Sequence, residues 1–365
     1  MSNYLLTRRR ILGAIGSGTG GGAVSLAGCT TNATDSTETA NETPENTSSD
    51  NENKNESNDS AAEDQQPEEK EEEENLDPPE NGAVVFVYDD GPIEDYTKAF
   101  PVHQEFNAPA TVGIVSKFVG RSDDWMNLEH LEALTTAGWE ISSHTVQHTP
   151  LAAYELIEDA KPEDTAIHAE EYRHGHQEGL TVEITDGNHS VTREVAGLGG
   201  DSDDNLSVEL EHPVKHSFSA GDAVIRYPAD QMHEALRESQ RDLEELGFAV
   251  TTLLAPYDDF DEWSMEFVPE YYDGVANARH GSRINDSEEF NPYATQRRYF
   301  IEFTSPEYVK QDLDEIADRG ALGVLGAHSA KKEVTEERIR ETLQWVNDRG
   351  IEVMTLREAI ERFAH

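Results

Sequence analysis

The sequence predicts an α/β fold: a distorted (β/α) barrel of about seven parallel strands with a small β-rich insertion. From residue 83 onwards, short apolar segments alternate with amphipathic helical segments, which is typical of repeated β-α units and a parallel sheet. A stretch near residues 165–229 breaks this alternation with short strands between Gly, Asp and Asn turns. Unusual polar residues follow several predicted strands, at the end of a barrel where active sites lie.

The first predicted strand, Val84–Tyr88, is a continuous apolar run. The clearest helix, Gln231–Leu246, is amphipathic and is followed by Gly247. Further strands are predicted over 110–115, 139–142, 249–254, 274–278, 299–303, 322–325 and 351–354. Further helices are predicted over 94–106, 127–137, 306–319 and 335–349. The total, about 250 residues, is a typical barrel size.

The insertion is predicted to contain strands over 180–185, 190–196, 206–210 and 223–227. Six of the 14 histidines fall within it: His168, His174, His176, His189, His212 and His216. No metal-ligand spacing is evident among them, so solvated polar surface is the favoured interpretation. The alternative is a second metal or sugar site.

The composition excludes several classes of protein. With 28 basic and 75 acidic residues the chain has a formal net charge of −47, which repels nucleic-acid phosphates. One cysteine cannot form an internal disulfide framework or a Cys-rich zinc module. No run of about 20 apolar residues suggests a conventional membrane span.

The N-terminal segment, residues 1–29, is interpreted as a twin-arginine lipoprotein signal. The arginines Arg8–Arg10 precede a Gly/Ala-rich stretch ending in Leu-Ala-Gly-Cys, which resembles a lipobox with Cys29 as the lipidated residue. Residues 30–81 are rich in Asn, Ser, Thr, Asp and Glu, and we expect a disordered acidic linker there. Residues 82–365 then form an exported domain, tethered to the extracellular face of the cell membrane through a lipid anchor only.

Five polar side chains follow predicted strands and can converge at one face of the barrel: Asp89, Asp90, His144, His148 and His328. Two neutral imidazoles four residues apart and one carboxylate make a three-ligand divalent site with a position open for water. A second carboxylate could take a proton from that water, and a histidine on the opposite rim could protonate the leaving group. Because adjacent residues of an extended chain point to opposite sides, Asp89 and Asp90 could divide the base and ligand roles.

These residues resemble the motifs of the polysaccharide deacetylases with a NodB homology domain, carbohydrate esterase family four. Residues 87–92, Val-Tyr-Asp-Asp-Gly-Pro, and residues 143–148, Ser-His-Thr-Val-Gln-His, resemble its first two motifs. Residues 255–257, Ala-Pro-Tyr, resemble the third, and residues 325–328, Leu-Gly-Ala-His, resemble the last. The likeness covers about residues 83–362 apart from the insertion.

The resemblance implies removal of an acetyl group from an N-acetylated sugar in a distorted barrel. It implies that zinc or a similar divalent ion is bound by three ligands, namely Asp90, His144 and His148. It further implies that Asp89 is the general base and His328 the general acid. The motif of Pro256 and Tyr257 would hold the oxyanion through the Tyr257 backbone N–H together with the metal.

Two departures from the family pattern stand out. The arginine that usually lies two residues before the proline of the third motif is replaced by Leu254. The fourth motif, an Asp and a Trp near the acid histidine, has no clear counterpart, and residues 277–298 look more like the divergent poly-N-acetylglucosamine deacetylase branch. We expect Arg298 or Arg297 to replace the missing arginine, because arginine pairs stably with a carboxylate. The alternative is an ordinary surface ion pair.

The leading hypothesis is therefore a metal-dependent deacetylase acting on an N-acetylated extracellular or cell-surface polysaccharide. A non-catalytic glycan-binding protein on the same fold is the first alternative, favoured by the two departures. An O-acetyl esterase or another amide hydrolase using the same metal is the second.

The folded domain is acidic and poor in lysine, as is typical of proteins from salt-loving microbes. Its carboxylates repel one another over a long Debye length when salt is dilute. We predict that the domain loses structure as salt is removed, which thermal unfolding in dilute buffer and in molar salt will measure. Equal melting temperatures in the two buffers would contradict this expectation.

Overall fold

The computed structural model describes residues 77–200, 205–280 and 284–364. The predicted export signal, its Cys29 and all of the predicted linker before residue 77 lie outside the described residues. Within the described ranges, no helix is long and apolar enough to cross a membrane.

Fifteen strands are described, and the first eight are β1 Ala83–Tyr88, β2 Thr111–Ile114, β3 Glu140–Ser143, β4 Tyr154–Glu155, β5 Ala166–Ile167, β6 Thr181–Thr185, β7 Ser190–Gly199 and β8 Ser207–Leu210. The others are β9 Val224–Arg226, β10 Thr252–Leu253, β11 Gly274–Val275, β12 Arg279–His280, β13 Gln296–Tyr299, β14 Leu322–Ala327 and β15 Glu352–Val353. The α-helices are α1 Phe100–Glu105, α2 Leu128–Thr136, α3 Ala229–Glu245, α4 Glu262–Met265, α5 Pro306–Arg319, α6 Glu336–Asp348 and α7 Leu356–Phe363.

The main sheet is parallel and runs in the order β11-β10-β3-β2-β1-β14-β13-β12, with β15 paired to β1. Among the described residues the path ends at β11 and β12, so the sheet forms an open, distorted barrel surrounded by helices. This confirms the predicted fold class, although several of its nine strands are only two residues long.

The central strand β1 is buried at all six positions, which explains its continuous apolar sequence. The side chains of Val84, Phe86 and Tyr88 join the larger core. Those on the opposite side of the strand join a second core that includes Met354 and Phe363. Because both faces of β1 are covered, its register is fixed and its carboxyl end at Tyr88 is held rigidly.

The insertion forms a second sheet with the strand order β4-β9-β6-β7-β8-β5, and its pairings are antiparallel. It begins at Tyr154, earlier than the predicted boundary at residue 165. His174 is fully buried against the rings of Tyr154 and Tyr227, so the interpretation as solvated surface is wrong for this histidine.

Two other element predictions need correction. The strand expected over 299–303 forms instead at Gln296–Tyr299. Its sequence, Gln-Arg-Arg-Tyr, looks too polar for a sheet, yet both arginines pair with carboxylates in the folded chain. The helix expected over 94–106 is a π-helical turn, Asp95–Ala99, followed by α1.

Candidate metal centre and active site

The site lies at the carboxyl ends of the parallel strands, as the sequence predicts. Asp89 and Asp90 follow β1, His144 follows β3, and His328 follows β14. Because parallel strands all end at the same edge of the sheet, residues distant in the chain meet there.

Asp90, His144 and His148 form one cluster whose ligand atoms all lie within 4.8 Å of one another. Asp90 Oδ1 is 3.3 Å from His144 Nε2 and 3.3 Å from His148 Nε2. His144 Nδ1 lies 2.7 Å from the carbonyl oxygen of Leu254, and an N–H there donates to it. The lone pair of His144 Nε2 then faces Asp90 Oδ1, so two electron-rich atoms lie opposite each other. A cation between them would stabilise this arrangement.

The protonation of this cluster also suits cation binding. Burial alone would raise the pKa of Asp90, but the contact with His144 and the nearby imidazoles of His148 and His328 lower that pKa below its usual range. Burial and the neighbouring His144 lower the pKa of His148 to about 3. At neutral pH Asp90 is therefore anionic and His148 neutral, the forms that bind a metal ion.

The adjacent carboxylate, Asp89, is held by a buried arginine from β13. Arg297 Nη1 donates to both oxygens of Asp89, at 2.9 and 2.8 Å. Its Nη2 contacts Asp258 Oδ1 at 2.7 Å and donates to the hydroxyl of Tyr299 at 2.9 Å. The guanidinium therefore joins β13 to the segments after β1 and β10. Burial alone would lower the pKa of Arg297, but the two nearby carboxylates keep it well above its usual value.

Of the two arginines expected as replacements, the structure places Arg297 at the site and turns Arg298 away. Arg298 Nη1 lies 3.1 Å from Asp312 Oδ2 on α5. Adjacent residues of a strand point to opposite faces, so only one of the pair can reach Asp89. The expectation that Arg298 contributes to the oxyanion or substrate site is therefore wrong.

Space for Arg297 depends on Gly326 of the neighbouring strand β14. A Cβ atom built on Gly326 would lie 2.8 Å from Arg297 Nε and 2.9 Å from its Cδ and Cζ. Such distances are far inside van der Waals contact, so any side chain at Gly326 would displace the guanidinium. This explains a glycine in the last motif, Leu-Gly-Ala-His.

His328 is oriented by a residue that the sequence analysis missed. Its Nδ1 lies 2.9 Å from Oε1 of Glu302, a fully buried carboxylate, while its Nε2 lies 3.8 Å from Asp89 Oδ2. Burial alone would lower the pKa of His328, but the hydrogen bond with Glu302 and the charges of Asp89 and Asp90 raise it. The signal was present in the sequence, since Glu302 is an acid inside the apolar stretch 299–303.

Strained backbone is concentrated in the loops around the metal ligands. Asp90, Thr145, His148 and Tyr257 have positive φ angles of 78°, 62°, 61° and 64° although none is glycine. Each such conformation costs about 1–3 kcal/mol and persists where the surrounding structure enforces it. The turn after β10 contains Tyr257, whose ring packs edge-on against His148 at 4.3 Å between centroids.

Hydrogen bonds from the side chain of Asn277 hold that turn in place. Its side-chain amide donates to the Ala255 carbonyl and to Asp258 Oδ1, at 2.7 and 2.8 Å, while its Oδ1 accepts from the Ala255 N–H at 2.5 Å. The predicted oxyanion segment, Pro256 and Tyr257, is therefore tied to the same network as Arg297. Neither Asn277 nor Asp258 was assigned such a position from the sequence.

Two residues of the insertion contact the loops that carry the site. Arg173 places its guanidinium 4.6 Å from the centre of the Tyr257 ring. Gln177 Nε2 donates to the backbone carbonyls of Gln147 and His148, at 3.4 and 3.3 Å. The insertion thus supports both the second motif and the turn that carries Tyr257.

Part of the chain is similar in sequence to known proteins. Residues 77–178 match the family model described as polysaccharide deacetylase. The chain is 29% identical over 73 residues to YxkH of Bacillus subtilis (strain 168), named as a polysaccharide deacetylase, and the match covers 20% of this chain and 26% of that protein.

Solved structures with a similar trace include a T48 deacetylase with substrate, at 13% identity and a TM-score of 0.41 over 77% of this chain and 91% of the other. A family 4 carbohydrate esterase from Streptomyces lividans with acetate matches at 11% identity and a TM-score of 0.39, over 74% and 91% of the two chains. The peptidoglycan deacetylase PdaC from Bacillus subtilis matches at 10% identity and a TM-score of 0.40, over 78% and 93%.

The fold is a parallel half-barrel of the NodB type, with a cluster of one Asp and two His at its carboxyl edge. Residues 77–178, which carry Asp90, His144 and His148, are similar to the polysaccharide deacetylase family.

We predict different consequences for the two arginines of β13. Arg297→Ala leaves Asp89 and Asp258 buried without their cation, which costs about 3–5 kcal/mol of unfolding free energy. It also releases the Asp89 carboxylate, so kcat/KM should fall roughly 100-fold at a temperature where the variant is folded.

Arg298→Ala is the matched control, because it breaks a partly buried ion pair from the same strand without touching Asp89. It should lower the melting temperature yet keep kcat/KM within about threefold of the wild type. Acetate release and thermal unfolding, measured on both variants, test the assignment. An Arg297→Ala variant with unchanged kcat/KM would show that Asp89 needs no such support.

Proposed function

We propose that the chain is a metal-dependent deacetylase that hydrolyses N-acetyl groups of an extracellular or cell-surface polysaccharide. The observation that carries the proposal is that a three-ligand cluster, an arginine-held carboxylate and a carboxylate-held imidazole meet at one edge of the sheet. The match of residues 77–178 to the polysaccharide deacetylase family model supports the class of substrate.

The cluster of Asp90, His144 and His148 fits a divalent cation, for which we propose zinc. Such an ion, when bound there, lowers the pKa of water and polarises an acyl carbonyl. The buried groups beside the cluster include the carboxylates of Asp89 and Glu302 and the guanidinium of Arg297. The site therefore has an excess of negative charge, which also favours a dication.

The chain's own residues account for the proton transfers. Asp89, oriented by Arg297, accepts a proton from the attacking water as the carbonyl becomes tetrahedral. The backbone N–H of Tyr257 is the proposed donor to the developing oxyanion. His328, whose Nδ1 faces Glu302, presents a protonated Nε2 that transfers its proton to the departing amine.

The non-catalytic alternative rested on two missing family features. In this chain Arg297 lies beside Asp89 and Glu302 lies beside His328, so both groups have a charged partner. This supports the enzymatic proposal over a purely glycan-binding role. We further propose export and lipid anchoring through Arg8–Arg10 and Cys29, which would bring the domain to polysaccharide outside the cell.

The central test measures acetate release from N-acetylglucosamine oligomers, with and without a chelator. We expect release that stops on chelation and returns with zinc. Asp89→Asn should lower kcat by about two or more orders of magnitude, because its amide cannot accept the proton. Asp123→Asn, at an exposed position, serves as the control and should leave kcat unchanged.

The alternatives correspond to other outcomes of this test. Acetate release from O-acetylated sugars alone would indicate an esterase. Oligomer binding without release would indicate a glycan-binding protein. Near-normal turnover by Asp89→Asn would exclude its role as base.

The pH profile tests the pairing of Glu302 with His328 separately. As the general acid, His328 must be protonated, so activity falls as the pH rises through its pKa. Glu302→Gln removes the carboxylate that raises this pKa, so the alkaline limb of kcat/KM should move to lower pH. The exposed Glu333→Gln is the control and should leave that limb in place. An alkaline limb unmoved by Glu302→Gln would refute the assignment.

A further inference from the structure

A second group of metal-ligating side chains lies in the insertion, at the tip of the hairpin that joins β6 and β7. Asp186 and His189 belong to the hairpin turn, and His216 comes from the segment between β8 and β9. Their ligand atoms all lie within 4.8 Å of one another. The group thus has the same donor set, one carboxylate and two imidazoles, as the cluster at the barrel edge.

The carboxylate of Asp186 is held in place by the turn itself. Its Oδ1 accepts from the backbone N–H groups of Asn188 and His189, at 2.8 and 2.7 Å. Its Oδ2 lies 3.5 Å from His189 Nδ1, too far for a good hydrogen bond. One carboxylate oxygen is therefore occupied, and the other faces the imidazole across a gap that suits a bridging ion.

The turn is tied to the end of β6, and the facing segment is tied to residues 160–162. Thr185 Oγ1 donates to the carbonyl of His189 at 2.9 Å and accepts the N–H of Gly187 at 3.1 Å. On the other side, the backbone of Lys215 donates to Pro162, and Phe218 exchanges backbone bonds with Ala160. His189 and His216 are thus presented by two fixed backbones, so little conformational entropy is lost when a ligand joins them.

The two imidazoles stack with 4.4 Å between ring centroids and 29° between planes. The ring of His216 also packs edge-on against the buried Phe218, at 5.0 Å. This contact holds the ring of His216 in position beside His189, so both imidazoles are directed at the same space as the Asp186 carboxylate.

We propose that Asp186, His189 and His216 bind a second divalent cation of the zinc class, which clips the β6–β7 hairpin to the segment before β9. Imidazole nitrogen and carboxylate oxygen suit zinc, with water completing the coordination. The site is more exposed than the barrel cluster, and we assign it a structural role. This inference is independent of the proposed function, because it concerns different residues.

Zinc stoichiometry tests the proposal on the full chain without an affinity tag. The measurement is equilibrium dialysis against zinc followed by metal analysis. Molar KCl in the buffer screens the acidic surface and so limits loose binding of zinc there. Asp186→Asn, His189→Gln and His216→Gln should each bind about one zinc ion fewer per chain than the wild type. His212→Gln, which changes an exposed histidine outside the cluster, should bind as much as the wild type.

A second measurement needs no variant. Anomalous scattering at the zinc edge, from wild-type crystals grown with zinc, should show a peak about 2.0–2.2 Å from the three ligand atoms. Cluster variants that bind as much zinc as the wild type would overturn the proposal, and so would an anomalous map with no peak at these residues.

Discussion

The buried ion pair network around Arg297 is the interaction on which the site depends. One guanidinium from β13 contacts Asp89 after β1 and Asp258 after β10, so it links β13 to the segments that follow two other strands. Removing either partner would leave a charge buried without compensation, at a cost of several kcal/mol. The network therefore fixes the segments after β1 and β10 relative to β13, and these segments carry Asp90 and Tyr257.

The same network explains how strained backbone is tolerated around the site. Asp90 directly follows the carboxylate held by Arg297, and Tyr257 directly precedes Asp258. Both adopt positive φ angles, which only a well-anchored neighbourhood can enforce. The buried ion pairs therefore hold Asp90 and Tyr257 in fixed orientations, as the proposed hydrolysis would require.

The insertion has a supporting role that its composition did not suggest. It contacts the second motif through Gln177 and the Tyr257 ring through Arg173, so it buttresses the metal ligands from outside the barrel. A cation at its far hairpin would stiffen the same sheet that carries these contacts. The second sheet, which the insertion forms, therefore connects the proposed cation site with the contacts that support the candidate active site.

The sequence by itself determined the fold class, the order of the elements and the five polar residues at the strand ends. The apolar pattern of a segment and the position of a residue after a strand are local properties of the sequence. The burial of β1 follows from the first, and the convergence of Asp90, His144 and His148 follows from the second. Only the tertiary structure decided that Arg297 rather than Arg298 reaches Asp89. That choice depends on the register of β13 and on the space left by Gly326, neither of which a linear pattern records.

The partner of His328 was likewise decided in three dimensions. Glu302 lies beyond the end of β13, whereas the sequence pattern placed the strand itself over 299–303 because its apolar residues stand out. The pairing of His189 with His216 depends on contacts between segments far apart in the chain. Patterns in sequence reveal which residues face the core, but contacts between distant segments depend on packing and register, which the folded chain alone fixes.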